Sequence, residues 1–368
     1  MCAIPSLFPQ PDAGISTDAQ PRIRHLDETL INQIAAGEVV ERPASVIKEL
    51  VENSIDAGAH HIQVTIRDGG KSFISVQDDG CGIAPEMLEI ALDRHATSKL
   101  ADNRLDHIAT LGFRGEALPS IASVARMTIT SRAHGQKEGQ NEGQKEGWQI
   151  TCEGGRKFAP KPASFAPGTR VEVRDLFYAT PARLKFMKSE RAEAGAVKDT
   201  LTRLALVNPD IAFTYKHNDR VIFDLPAEDI ESGLAKRANA LLESDFSTNS
   251  CRLDVRRDDL DITGRISLPT YSRATARHQY LFVNGRPVRD KLLNGALRAA
   301  YMDVLARDRH PLALIFLQVP PDQLDVNVHP AKTEVRFRDA ARIRAGLISA
   351  IQTSLAEHGQ LSAPAIGR

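Results

Sequence analysis

The stretch Asp78-Asp79-Gly80-Cys81-Gly82-Ile83 sets an acidic residue at the end of a strand pattern, with glycines two and four places on. That spacing suits a turn packed closely against a ligand, because glycines remove side chains and permit unusual backbone angles. The Asp78 carboxylate can accept a hydrogen bond from the exocyclic amine of a base. Farther on, Gly112-Phe113-Arg114-Gly115-Glu116-Ala117-Leu118 places glycines just ahead of an apolar helix pattern. Free backbone N–H groups at such a helix start cradle phosphate. Each motif alone is common; their order and spacing together are much more specific.

These motifs need a frame. A helix pattern from Pro43 to Asp56, closed by Gly58, supplies it. Val46, Ile47, Leu50, Val51 and Ile55 form an apolar stripe, while Glu49, Glu52, Asn53 and Asp56 recur at i, i+3, i+4 and i+7 on the other face. By pattern alone this is a half-buried helix with a solvated acidic face. Pro43 suits a first turn and Gly58 a C-cap. Strand patterns follow from His61 to Ile66, Ser72 to Gln77, Arg126 to Arg132 and Thr169 to Arg174, with Trp148 to Cys152 as a hairpin partner of the third. The repeat GQKEGQNEGQKEG at 135–147 has no apolar residue to bury and reads as a hairpin insertion. A helix pattern from Arg191 to Val207 ends at Asn208-Pro209, and a hairpin turns around His217-Asn218-Asp219. Beyond Pro226 the sequence predicts a helix from Glu231 to Leu242 and strands near 251–255, 260–268 and 279–283. Asn284-Gly285 is a hairpin turn signal. A helix from Lys291 to Leu305, a buried strand from Leu312 to Val319, a strand from Glu334 to Phe337 and a final helix complete the pattern.

The set Glu49/Asn53, Asp78-x-Gly80-x-Gly82, Gly112-x-x-Gly115 and Gly168-Thr169 resembles the four-part nucleotide site of one ATPase superfamily. Its members are the gyrase B subunit, the heat-shock ATPase chaperone, histidine kinases and MutL. The stretches NQIAAGEVVERPASVIKELVENSIDAG, RHATSK, LGFRGEALPSI, LFYATPARLKF, FVNGRPVRD and DVNVHPAKTEVRF narrow the resemblance to the MutL mismatch-repair family, over about residues 22 to 350. Three positions depart from the family's usual wording: Asp79 and Ala179, where asparagine is usual, and Leu184, where arginine is usual. Asp79 stands next to the expected nucleotide.

The resemblance implies ATP hydrolysis, with ATP and Mg2+ as cofactors. Glu49 would be the general base or water-positioning residue, and Asn53 would offer its side-chain oxygen to Mg2+, an oxygen-seeking ion. Asp78 would read adenine within the turn made by Gly80 and Gly82. The backbone from Gly112 to Gly115 would hold the phosphates, with Phe113, Arg114 and Glu116 among the nucleotide-binding residues; Arg114 suits an ion pair equally well. Thr97, Ser98 and Lys99 fall in the segment that resembles a lid over the nucleotide. The Thr169 hydroxyl would bond a nucleotide water or the Asp78 carboxylate. Lys332 would reach from the second domain to the γ-phosphate, and the pattern from Leu26 to Gly37 would help form a homodimer on ATP binding. The implied fold is α+β: a flexible leader at 1–21, a two-layer α/β sandwich ATPase domain at 22–228, then at 229–358 an α/β domain resembling a ribosomal-protein fold with a left-handed crossover. Residues 359–368 would begin a linker.

Composition bounds these expectations. At 368 residues with 42% hydrophobic content, the chain has room for two cores. Basic and acidic residues balance at 47 each, so any nucleic-acid footprint has to be local. Two basic groups qualify: Arg183, Lys185, Lys188 and Arg191, then Arg265, Arg273, Arg277, Arg286, Arg289, Lys291 and Arg298 with Asp290 among them. Such contacts engage phosphates, with weak sequence preference and strong salt dependence. The implied partners are double- and single-stranded DNA, a MutS-type mismatch recognition protein and a downstream nuclease or helicase. Cysteines at 2, 81, 152 and 251 lack ligand spacing, which argues against structural zinc and for a reducing compartment. Cys81 reads as a space-filler. No apolar run is long enough to cross a membrane and the first twenty residues do not read as a signal peptide; with the resemblance, a cytoplasmic bacterial protein, nucleoid-associated during repair, is expected. No nuclease activity is expected of these residues. The alternatives are the ATPase subunit of a type II DNA topoisomerase, which NQIAAGEVV and HPAKTEV fit poorly, and a chaperone or kinase of the same superfamily.

Overall fold

In HIQVTIR and FISVQD every second residue is apolar, and each strand buries that set on one side. The structure, a computed structural model, describes residues 25, 27–99, 115–134, 146–257, 259–325 and 334–362. Its first part runs α1 (Glu28–Val39), α2 (Pro43–Asp56), β1 (His61–Arg67), β2 (Phe73–Asp78), α3 (Ala117–Val124), β3 (Arg126–Arg132) and β4 (Gly147–Glu153). Short strands β5 (Arg156–Lys157) and β6 (Lys161–Ala163) follow, then β7 (Gly168–Arg174), α4 (Pro181–Leu184), α5 (Glu190–Val207), β8 (Ala212–His217) and β9 (Arg220–Leu225). These strands form one sheet in the order β5-β4-β3-β7-β2-β1-β8-β9, with β6 beside β4. Neighbours are antiparallel except β1 and β8. One face of the sheet packs on the helices through Ile62, Val64, Ile74, Val76, Ile129 and Phe213.

Helix α2 lies in that core. Val46, Ile47, Leu50 and Val51 are buried. Each contributes roughly 1.5–3 kcal/mol on burial, which outweighs the roughly 0.5 kcal/mol of helix propensity that a β-branched residue forfeits. Its end is a Schellman motif: Gly58 N–H donates to Ile55 O and Ala59 N–H to Ser54 O, with Gly58 at φ +71°.

The second part contains α6 (Ile230–Leu241), β10 (Ser250–Arg257), β11 (Leu260–Ser267), β12 (Ser272–Arg273), β13 (Gln279–Val283), β14 (Arg286–Val288) and α7 (Lys291–Ala300). It ends with β15 (His310–Pro311), β16 (Ala313–Gln318), β17 (Leu324–Asp325), β18 (Arg336–Phe337) and α8 (Ala340–Ser362). The sheet order is β10-β11-β16-β13-β14, with β13 and β16 parallel. Helices α7 and α8 cover one face, while α6 and Phe246 cover the other at Tyr280, Phe282 and Leu314. Asn284 and Gly285, both at positive φ, make the expected hairpin between β13 and β14. Three expectations shift. Helix α7 stops at Ala300 rather than Leu305, because Tyr301 turns inward to donate to Ser267 O at 2.6 Å. The strand expected from Glu334 is only Arg336–Phe337, and α8 continues through Gly359 to Ser362.

Polar side chains fasten the parts. Arg42, just ahead of α2, donates from Nε and Nη2 to Glu193 Oε2 of α5 at 3.0 and 2.8 Å. Glu193 is 2% exposed, and its other oxygen accepts from Lys188 N–H. Arg237 of α6 is buried and donates to the carbonyls of Pro209, Ile211 and Pro226, tying α6 to the edge of the first sheet. Burial pulls the Arg237 pKa below its ordinary value. Replacing Arg42 by Ala strands the Glu193 charge in the core, and breaking a buried pair from one side costs about 3 kcal/mol. Thermal melts of Arg42→Ala and Arg42→Lys should show a large drop for the first and a smaller one for the second. Equal melting temperatures for Arg42→Ala and the parent would remove this pair from the frame.

Candidate nucleotide site

The polar face of α2 is less solvated than its pattern suggests. Asp56 is 7% exposed at its side chain, and Glu49 and Asn53 are half-buried. Lys48 Nζ reaches Glu49 Oε1 at 3.3 Å and Glu52 at 3.0 Å. Burial pulls the Lys48 pKa down, but Glu52 and Glu49 together hold it above the ordinary lysine value. Lys99 folds onto the same face: its Nζ donates to Asn53 Oδ1 at 2.8 Å and Asp56 Oδ2 at 2.5 Å. A cation thus already sits on the Asn53 oxygen. An amide oxygen beside a carboxylate is a hard-oxygen donor set of the kind Mg2+ takes, with phosphate and water supplying its remaining ligands. Among the described residues no group of three His, Cys, Asp or Glu could hold a metal ion by itself.

Asp78 ends β2 and is buried. Oδ2 accepts from Ser54 Oγ of α2 at 2.8 Å, and Oδ1 accepts from the N–H of Gly80 at 3.0 Å and of Thr169 at 3.3 Å. Burial nonetheless pushes its pKa up, against these three hydrogen bonds. The register that sets Thr169 opposite Asp78 requires Gly168. It sits at φ +123°, and a Cβ there would lie 2.1 Å from Asp78 O. Gly80 is closed in by Ala57, and Gly82, at φ +73°, by the Arg132 carbonyl. The Thr169 hydroxyl does not reach Asp78; it lies 2.9 Å from Ser131 Oγ, and the backbone N–H makes the carboxylate contact instead. Asp79 turns away from Asp78 and accepts the N–H groups of His60 and His61, both at 2.8 Å, so this departure fastens the start of β1.

Of the nucleotide-binding residues expected in this stretch, Gly115 and Glu116 are described, whereas Gly112, Phe113 and Arg114, like Lys332, lie outside the described residues. Gly115, at φ +62°, packs against the Ala96 backbone, and its carbonyl accepts His95 N–H at 3.1 Å. Glu116 faces His95 at 3.7 Å. Thr97 and Ser98 are exposed, and Thr97 Oγ1 accepts Lys99 N–H. The structure therefore gathers Glu49, Asn53, Asp78, Gly80, Gly82, Thr169 and Lys99 around α2 and the β2 end. It adds Ser54 and Ser131, which the sequence reading missed. Ser54 carried a signal: it lies on the apolar stripe one turn past Leu50, where a hydroxyl must find a partner.

The expected DNA-binding residues separate into two kinds. Arg183 donates to Val40 O and covers Gly37, and Arg265 donates to Ser250 Oγ and the Ser247 and Ser250 carbonyls. Both are half-buried and fasten backbone segments in this structure, and burial lowers the Arg265 pKa. Arg273 pairs with Glu243 and lies over the Tyr271 ring. Arg286 is half-buried and bonded, whereas Lys185 is exposed. Arg277 and Arg289, with Arg191, Lys198, Arg298 and Arg307, line a cleft of about 1520 Å³ between α5 and α7. In all, eight Arg or Lys residues line it against one carboxylate, Asp199, which pairs with Arg203 and Arg289. No described helix is long and apolar enough to cross a membrane.

Comparison with known proteins agrees with this geometry. The family model described as Histidine kinase-, DNA gyrase B-, and HSP90-like ATPase matches residues 41–147. That described as DNA mismatch repair protein, C-terminal domain matches 238–356. DNA mismatch repair protein MutL of Paramagnetospirillum magneticum is 55% identical over 92% of the chain, and that of Rhodospirillum rubrum 53% over 92%. The chain spans about half the length of these relatives, 54% and 53%. A crystal structure of the N terminal domain of a DNA repair protein superposes with a TM-score of 0.75 over 91% of this chain and 100% of its own, a likeness of fold at 23% identity. The Aquifex aeolicus MutL ATPase domain complexed with ADP is 30% identical, with a TM-score of 0.57 over 77% of this chain and 94% of its own. With the Aquifex aeolicus MutL ATPase domain covered nearly whole at 30% identity and MutL relatives more than half identical over 92% of this chain, this chain belongs to the MutL family of DNA mismatch repair proteins.

Proposed function

We propose that the chain binds ATP with Mg2+ between α2 and the β2 end, hydrolyses it, and uses that cycle to coordinate mismatch repair on DNA. The observation that carries the reading is the Asp78 carboxylate. An ionised carboxylate offers about four lone-pair positions, and three are taken by Ser54, Gly80 and Thr169. The fourth fits the exocyclic amine of adenine. Glu49, one turn before Asn53, orients or deprotonates the attacking water, and Asn53 would hold Mg2+ through the side-chain oxygen that Lys99 occupies in this structure. Mg2+, when bound, would offset charge on the phosphates. Gly115, the preceding residues 112–114 and Lys332 complete the phosphate contacts. Homodimerisation on ATP binding, a MutS-type partner and a downstream nuclease or helicase belong to the same reading, supported by family membership. The basic cleft takes DNA phosphates at Arg277 and Arg298, with Arg289 on the same wall partly engaged by Asp199. Residues 22–228 serve as the ATPase unit and 229–358 as the unit that transmits its state.

Asp78→Asn tests the adenine contact. The amide keeps an oxygen for Gly80 and Thr169, and its NH2 can donate to Ser54 Oγ, which then donates to Leu50 O, 3.2 Å away. Losing a hydrogen bond to a charged acceptor should weaken ATP binding roughly 10- to 150-fold. Stability should move the other way. The Asp78 pKa is raised in the fold, so its ionisation disfavours the native state above the ordinary aspartate range and has no effect below it. The substituted protein should melt at or above the parent near pH 7, with the difference shrinking toward pH 4. Nucleotide titration and melts at both pH values check this; parental ATP affinity would refute the adenine role.

Glu49→Ala should retain ATP binding and lose hydrolysis by roughly 10²- to 10⁴-fold, the usual worth of a positioned base. Asn53→Ala should lose Mg2+-dependent binding as well. Equilibrium binding beside phosphate release separates the two, and normal turnover by Glu49→Ala would sink the assignment.

For the cleft, Asp199→Asn should free Arg289 for one further phosphate. The slope of log affinity against log salt should then steepen by about 0.9 for duplex DNA. An unchanged slope with unchanged affinity would place DNA elsewhere on the molecule.

A further inference from the structure

Phe186 is 87% exposed, the most exposed large apolar side chain among the described residues. It is not on a loose loop. Its own N–H donates to Arg183 O at 3.0 Å, and Met187 N–H donates to Leu184 O at 3.2 Å. Arg183 is fixed to Val40 O, with its guanidinium over the Phe177 ring, and Met187 packs into the first core. With Arg183 and Met187 turned inward one helical turn apart, Leu184, Lys185 and Phe186 face water. A phenyl ring thus stands in solvent on a hydrogen-bonded backbone, with exposed Lys185 and Lys188 on either side of it. Neither lysine has an ion-pair partner among the described residues. Three residues on, Ser189 caps α5 and, with Arg191, forms the rim of the basic cleft. At 3.8 Å between successive Cα atoms, the ring's backbone lies within about 11 Å of that rim.

We propose that Phe186 is a base-stacking platform for an unpaired nucleic-acid strand, whose phosphates continue past Lys185 and Lys188 into the cleft. The charge pattern selects a polyanion. An exposed aromatic ring on a fixed backbone selects one whose bases are free to stack, since every base has a π-face. In a duplex those faces are already stacked on one another, so a paired strand gains nothing from the ring. The inference rests on the reading of the cleft as a phosphate track, and it assigns that track a preference for single strands.

The test uses the whole chain without nucleotide, an oligo(dT) strand and a blunt duplex of equal length. Phe186→Ala should weaken oligo(dT) binding roughly 5- to 150-fold, the range of one base–aromatic stack, with the salt slope and the duplex affinity unchanged. Phe186→Trp should restore binding, and oligo(dT) should quench the emission of the introduced indole. Because the ring is exposed, neither substitution should lower the melting temperature. Arg277→Glu, measured in parallel, tests the track itself: both DNA forms should weaken and the slope should flatten. If Arg277→Glu behaves so while Phe186→Ala binds oligo(dT) as the parent does, the platform is refuted and the track stands. An equal loss of single strand and duplex in Phe186→Ala would also refute it. So would unchanged DNA binding with lost self-association in a non-hydrolysable ATP analogue, which would assign the ring to a second copy of the chain.

Discussion

The buried Asp78 carboxylate is the constraint on which the rest of the site depends. It joins helix α2 through Ser54, strand β7 through Thr169 and its own turn through Gly80. Placing a carboxylate there has a cost that its three donors do not fully offset, as the upward shift of its pKa records. The neighbouring glycines follow from the same requirement. The backbone must close around the carboxylate, and a Cβ at Gly168 or Gly80 would occupy the space of the Asp78 carbonyl or of Ala57. Moving the β2–β7 register by one residue would send Asp78 to the other face of the sheet. The ligand site and the sheet register are therefore one arrangement.

What the sequence discloses and what it conceals divides along a physical line. Local determinants were legible. Pro43 and Gly58 bracket α2, its apolar stripe has the helical period, and Asn284-Gly285 closes a hairpin, all within a few residues of the features they specify. Contacts made across the chain were not. Asp78 meets Thr169 91 positions away, and nothing local says that the backbone N–H rather than the hydroxyl makes the bond. Arg183, Arg265 and Arg277 look alike in sequence; two find buried carbonyls and the third faces a cleft, a difference set by tertiary packing. The apolar residues after Ala300 continue a helical pattern, yet the Tyr301 hydroxyl finds Ser267 O and the helix stops. Ser54 was legible in principle, since a hydroxyl on an apolar stripe asks for a partner.

Charge follows the same logic. A chain with 47 basic and 47 acidic residues has no net field to attract an anion. The folded chain nonetheless collects eight basic side chains around one carboxylate in the cleft, from segments more than 100 residues apart. Asp199 does not neutralise that field. It holds Arg203 and Arg289 in place and leaves Arg277, Arg298 and Arg307 exposed. Fixing some cations by internal pairs while others stay hydrated gives a surface whose phosphate contacts are screened by salt but whose shape is not.

Helix α5 connects these two regions. On its first turn Glu193 holds Arg42 at the entrance of α2; two turns on, Asp199 holds Arg289 of the second sheet's edge; near its end Leu206 enters the core under β13 and β16. At 1.5 Å per residue these points span about 20 Å, and a hydrogen-bonded helix cannot shorten between them. A shift of the first turn of α2, the helix that carries Glu49 and Asn53, therefore cannot be absorbed inside α5. It must appear either as a break in the Arg42–Glu193 pair, which strands a buried charge, or as a displacement of the cleft wall against β14. The second costs less, because the Asp199–Arg289 pair is largely exposed on the arginine side and exposed pairs are worth about 0–1 kcal/mol. Helix α5 thus meets the helix that carries Glu49 and Asn53 through a buried pair and the edge of the basic cleft through a more exposed one.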